Sequence, residues 1–193
     1  MKYPGGVKVK DNNYIEYGNR GMSLEEDINK ANEYYRLINR AIIYKKPTPI
    51  QATKVVYNKG KGKLIAEGYF KTPSTTDYNG LYRGKYIDFE AKETKHKNYF
   101  PLTSIHTHQI EHIKKIIEHG GITFLIIRFS SLGKTFLVKG EDFITYLTNK
   151  PKSIPISFFN EYAKEIEESY NPRLKYLKVI DKLYFGGKDH ETN

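Results

Sequence analysis

The chain has 193 residues, a net charge of +10, 38% hydrophobic and 28% charged residues, a composition that suits one globular domain. No run of about 18 apolar residues is present to make a helical membrane span, and residues 1–10 lack the apolar stretch of a secretory signal. Cysteine is absent, which excludes disulfides and thiolate zinc sites and makes a cytoplasmic setting the expectation.

Residues 1–19 are polar and irregular and read as a flexible arm. Ser23-Leu24-Glu25-Glu26 has the form of a capping box, and Leu24, Ile28, Ala31, Tyr35, Ile38 and Ile42 follow at helical spacing, predicting a helix over 24–41. Lys45-Lys46-Pro47-Thr48-Pro49 breaks it. Two β-type runs, Ala52–Tyr57 and Leu64–Phe70, flank the basic loop Asn58–Lys63, a predicted hairpin. A second strand pair is expected at Leu81–Arg83 and Lys85–Thr94, with Gly84 near the turn. A polar loop over 95–103 leads to a helix from Ser104 to His119, ended by Gly120-Gly121. Ile122–Phe129 and Thr135–Val138 read as strands, and short helices are expected at Glu141–Leu147, Asn160–Ser169 and Tyr176–Phe185. No internal repeat or second domain is visible. The predicted class is α/β, with a mixed central β-sheet flanked by helices.

The positive charge is uneven: residues 1–103 hold 19 Lys and Arg against 11 Asp and Glu, whereas residues 104–193 hold 13 against 11. Excess positive charge favours a polyanion such as nucleic acid, because each neutralised phosphate releases counterions. Residues 45–71 carry seven lysines against one acid, with Lys59, Lys61 and Lys63 spaced by glycines at the hairpin tip.

The chemically informative stretch is Tyr86-Ile87-Asp88-Phe89-Glu90-Ala91-Lys92. Strand alternation puts Ile87, Phe89 and Ala91 on one face and Tyr86, Asp88, Glu90 and Lys92 on the other. Asp77, in the turn Thr75-Thr76-Asp77-Tyr78-Asn79-Gly80, converges with Glu90 if the hairpin folds back. Two carboxylates suit Mg²⁺, a hard cation that takes oxygen ligands, and a neighbouring lysine suits charge developing on a phosphate. Phosphodiester hydrolysis is the expected chemistry. Asp88 faces the same side and has Lys85 and Lys92 as candidate partners.

Asp77 with Glu90-x-Lys92 resembles the PD-(D/E)xK nuclease superfamily, with Thr76 standing where that pattern has proline. Longer strings resemble the RecU-type Holliday junction resolvases. They are Asn19-Arg20-Gly21-Met22-Ser23-Leu24-Glu25-Glu26-Asp27-Ile28-Asn29, Lys45-Lys46-Pro47-Thr48-Pro49, Ser74-Thr75-Thr76-Asp77-Tyr78-Asn79-Gly80, Gly84–Thr94, His108-Gln109-Ile110-Glu111-His112 and Pro172-Arg173. This resemblance implies a restriction-endonuclease-like fold in a single nuclease domain over 1–193, with residues 52–72 as a protruding β-hairpin stalk. It further implies a homodimer that cuts four-way DNA junctions by paired nicks with Mg²⁺, for which Mn²⁺ can substitute, in homologous recombination and repair. The metal ligands implied are Thr75, Asp77, Glu90 and Gln109, with Lys92 as transition-state stabiliser and Glu26 near the site. The DNA-binding residues expected are Arg20, Lys59, Lys61, Lys63 and Lys71, and recombination proteins are candidate partners.

Two other readings remain open on the residues alone. His108-x-x-Glu111-His112 fits a zinc metalloprotease pattern, with both histidines on one helix face. A non-catalytic DNA-binding protein would use Asp77, Glu90 and Lys92 as structural charges.

Overall fold

The computed structural model describes residues 23–71 and 75–187. The element order is α1 (Leu24–Leu37), β1 (Ile42–Lys45), β2 (Ile50–Asn58), β3 (Gly62–Phe70), β4 (Tyr78–Tyr82), β5 (Lys85–Thr94) and β6 (Tyr99–Pro101), then a 3₁₀ turn. It continues with α2 (Thr107–Glu118), β7 (Ile122–Phe129), β8 (Lys134–Lys139), α3 (Gly140–Leu147), β9 (Ser153–Pro155), α4 (Ile156–Tyr162), β10 (Lys164–Glu165) and α5 (Tyr176–Tyr184).

Six strands form one mixed sheet in the order β1-β4-β5-β7-β8-β10. Only β5 and β7 pair in parallel, and α2 is the crossover between them; the other neighbours are antiparallel. One apolar cluster, with Phe89 and Phe124, packs the sheet against α1 and α5; a second, with Leu125 and Ile127, packs the other face against α2, α3 and α4. This is the α/β architecture with helices on both faces that was expected.

The β4–β5 connection explains how the site residues meet. Tyr82 pairs with Lys85, leaving Arg83 and Gly84 as a two-residue loop, and both have positive φ, 50° and 74°. Two positive φ values mark the tight hairpin connection whose twist matches its strands. Behind the site, Phe89 stacks between Tyr78 (4.8 Å) and Phe124 (4.6 Å), tying β4, β5 and β7 together. Each such pair contributes about 0.5–1.5 kcal/mol beyond burial.

The hairpin β2–β3 forms its own two-stranded sheet, with nearly every residue exposed. It spans Ile50–Phe70, so a hairpin is present where the sequence predicts one; residues 72–74, which include the end of the expected 52–72 stalk, and all of the expected arm at 1–19 lie outside the described residues.

Several boundaries differ from expectation. The first helix ends at Leu37 rather than 41: Asn39 adopts φ 52°, the chain turns, and Ile42 opens the edge strand β1 with an exposed side chain. Residues 95–103 include β6, which pairs with β9. The second helix starts at Thr107, not Ser104, because 102–104 form the 3₁₀ turn. The helix expected at Asn160–Ser169 lies at Ile156–Tyr162, and Lys164–Glu165 extends the sheet instead.

Candidate active site

The register of β4 and β5 sets the first relationship. Tyr78 pairs with Phe89, so Asp77, one step before β4, comes level with Glu90. On the other side Lys45 pairs with Tyr78, and the Lys46 backbone N–H donates to the Asp77 carbonyl at 2.8 Å. Lys46, Asp77 and Glu90 therefore stand in one row across three strands. Glu90 and Asp88 share the face of β5 that looks toward α2, and both are fully buried.

Glu90 is a buried acid with little to satisfy it. Lys92 Nζ lies 2.6 Å from Glu90 Oε1, yet among the described residues no donor is aligned to hydrogen-bond either carboxylate oxygen. Burial first, and then the Asp77 carboxylate within hydrogen-bonding reach, push the Glu90 carboxyl up to about 8 against the downward pull of Lys92. Burial also raises Tyr78, with the charges of Glu25, Asp77 and Glu90 contributing.

Asp88 is the opposite case. It accepts from Lys46 Nζ (2.7 Å), Tyr86 Oη (2.8 Å) and the Thr76 hydroxyl, and His112 Nε2 lies 3.3 Å away. Its cationic partner is thus Lys46, and neither Lys85 nor Lys92, the two candidates expected from the sequence.

The remaining expected site residues divide. Gln109 is 3% exposed on α2, and its Oε1 accepts from the His106 backbone N–H at 2.9 Å, leaving a second acceptor position on that oxygen. Thr75 is half-buried beside Thr76. Glu26 is exposed and held in the capping box with Ser23, its Oε2 accepting from Ser23 N–H at 2.9 Å. Its neighbour Glu25 instead lines a cleft with Leu24, Asp77, Tyr78, Lys92 and Glu93, and is paired with Lys45 at 2.5 Å. Sequence reasoning passed over Glu25 and Lys46, although the capping box fixed the start of the helix and so placed Glu25 in its first turn. Lys59, Lys61 and Lys63 are exposed at the hairpin tip and Lys71 at its root, while Arg20 lies outside the described residues.

Two crowded carboxylates, Asp77 and a Glu90 without an aligned donor, are oxygen donors of the kind a hard divalent cation takes. Among the described residues no group of three His, Cys, Asp or Glu closes on a common point. Glu111 is exposed and paired with Lys114, and His112 faces Asp88, so His108, Glu111 and His112 do not form a zinc site. No helix among the described residues is long and apolar enough to cross a membrane.

The family model described as "RecU: Recombination protein U" matches residues 19–182. A protein named Holliday junction resolvase RecU from Geobacillus thermodenitrificans is 47% identical over 197 residues, covering 96% of this chain and 98% of the relative. Relatives of the same name from Lactiplantibacillus plantarum (48% identical, 94% of this chain, 91% of theirs) and Oceanobacillus iheyensis (47%, 96% and 100%) agree with it. Matched over most of its length by the family model and by relatives of nearly equal extent, the chain belongs to the RecU family.

Proposed function

We propose that the chain is an endonuclease that resolves four-way DNA junctions by paired nicks, acting as a homodimer with Mg²⁺, or Mn²⁺ in its place. The observation that carries this reading is the buried Glu90 carboxylate, level with Asp77, without an aligned donor and beside Lys92. A divalent cation held by Asp77, Glu90, Thr75 and Gln109 would polarise a phosphoryl oxygen and lower the pKa of bound water. Lys92 places an ammonium beside those carboxylates, where it stabilises charge developing on the phosphate. The relatives' name supplies the branched substrate, and the basic hairpin tip supplies a surface for it. Two copies related by a two-fold axis match the symmetry of a junction and account for two nicks.

The test is nicking of a four-way junction against a linear duplex of equal sequence, with Mg²⁺. Glu90→Gln and Asp77→Asn should abolish cutting and leave DNA binding within a few-fold, since each removes a cation-binding charge. Near-normal nicking by either variant refutes the site. Light scattering should give twice the 22.5 kDa chain mass; a single-chain mass with junction resolution intact refutes the symmetric reading.

A further inference from the structure

We propose that Thr76, Asp88 and Lys46 form a clamp that sets the spacing between Asp77 and Glu90, and with it the size of the divalent cation the pair accepts. The proposal rests on the reading of Asp77 and Glu90 as cation-binding groups.

Asp88 and Glu90 sit two residues apart on one face of β5, equally buried, yet their surroundings differ completely. Glu90 has no aligned donor, while Asp88 is engaged by the Thr76 hydroxyl, the Lys46 ammonium and the Tyr86 hydroxyl. A carboxylate with its oxygens so occupied is a poor ligand and a strong anchor. What it anchors is the segment carrying Asp77. Residues 75–77 precede the first ladder pair of β4, so sheet pairing does not hold them. Lys46 holds this segment at two points: its backbone N–H bonds the Asp77 carbonyl at 2.8 Å, and its Nζ bonds Thr76 Oγ1 at 3.1 Å while also bonding Asp88 Oδ2 at 2.7 Å. A proline at position 76 would restrain the backbone through its ring. Threonine restrains it through a hydroxyl tied to a buried acid.

Spacing matters because Mg²⁺ demands near-ideal octahedral geometry at about 2.0–2.1 Å, whereas Ca²⁺ accepts flexible shells at about 2.3–2.6 Å. Loosening the clamp should therefore cost Mg²⁺ more than Ca²⁺. Partners that orient metal ligands typically cost about 10–100-fold in affinity when removed.

The experiment is calorimetric titration of the metal-free full chain with Mg²⁺ and with Ca²⁺, alongside thermal melts and Mg²⁺-dependent junction nicking. Thr76→Val should weaken Mg²⁺ binding by at least about tenfold and Ca²⁺ binding by markedly less. Thr76→Ser, which keeps the hydroxyl, should bind and nick like the unsubstituted chain. Lys46→Gln, whose backbone N–H remains, gives an independent arm if Thr76→Val fails to fold; it should show the same selective loss. Unchanged Mg²⁺ affinity in a folded variant overturns the clamp. Equal losses for both ions, or a loss that tracks the melting temperature alone, overturn its role in ion choice. Absence of Mg²⁺ binding and nicking by the unsubstituted chain removes the underlying cation-site reading instead.

Discussion

Lys92 reaches back along its own strand to Glu90, bringing its ammonium to 2.6 Å from a carboxylate oxygen that no aligned donor satisfies. The lysine lowers Glu90 against the combined push of burial and Asp77. Lys92→Ala should therefore do two things. Nicking at saturating Mg²⁺ should fall by at least about a hundredfold, the scale of losing one donor to developing charge. The pH needed for metal binding should also rise, because Glu90 then holds its proton more tightly. An unaltered rate at saturating metal would leave Lys92 with a structural role only.

Glu90 makes the metal-free protein sensitive to pH. In the folded chain its carboxyl is held up to about 8, against an ordinary value of 4.5. Between those limits the folded state carries a proton that the unfolded state has released, so this group's contribution to stability declines as pH rises through the window. Glu90→Gln removes the titration. Its melting temperature without metal should match that of the unsubstituted chain near the acid end and exceed it by several degrees near pH 8. Added Mg²⁺ should reverse the order at pH 8, since only the carboxylate binds it. Parallel melting curves for the two proteins across the window would show that Glu90 does not titrate there.

The hairpin tip carries Lys59, Lys61 and Lys63, all exposed, ahead of a ribbon whose Tyr57 and Phe70 are 76% and 75% exposed. Replacing the three lysines by alanine should weaken junction binding more than duplex binding. Each lost phosphate contact lowers the salt slope by about one. Equal weakening on both DNAs would make the tip a general electrostatic aid. Titrations of both substrates at several salt concentrations separate the cases.

A stability prediction concerns Asp27 at the start of α1. It is buried between Arg128 of β7 (2.7 Å) and Arg173 (3.0 Å), joining the first helix, the central sheet and the C-terminal segment. Asp27→Ala leaves both guanidiniums without that charge and should destabilise by about 3–5 kcal/mol, read by denaturant unfolding. A loss within about 0.5 kcal/mol, the range of an ordinary surface change, would contradict the anchoring role.

Much of this was legible from residue pattern, and the exceptions have physical causes. The apolar run Ile122–Phe129 was read residue for residue, because a strand buried on both faces needs no alternation. Helix α1 was overrun because Ile38 and Ile42 continue the helical spacing, while the turn that ends it depends on the φ of Asn39. Alternation correctly put Asp88, Glu90 and Lys92 on one face, but could not show that α2 covers it. That cover is what buries both acids, brings Gln109 inward and makes Asp88 an anchor. Pairing of Asp88 with Lys46 was invisible for a further reason: it spans 42 residues and a whole hairpin.

Lys45 and Tyr78 are paired neighbours in the sheet, and everything between them is an excursion that leaves the sheet and returns to the same point. Such an arrangement is modular. Exchanging β2 and β3 for a short turn would keep the β1–β4 register and the six-stranded body intact, and a longer or shorter ribbon would be equally compatible with it. Inheritance can therefore vary the reach of the hairpin without disturbing the cutting apparatus. The seam falls at Lys46 and Asp77, so trimming that spares those two residues and Thr76 should be tolerated, and trimming that crosses them should remove an acid of the proposed site.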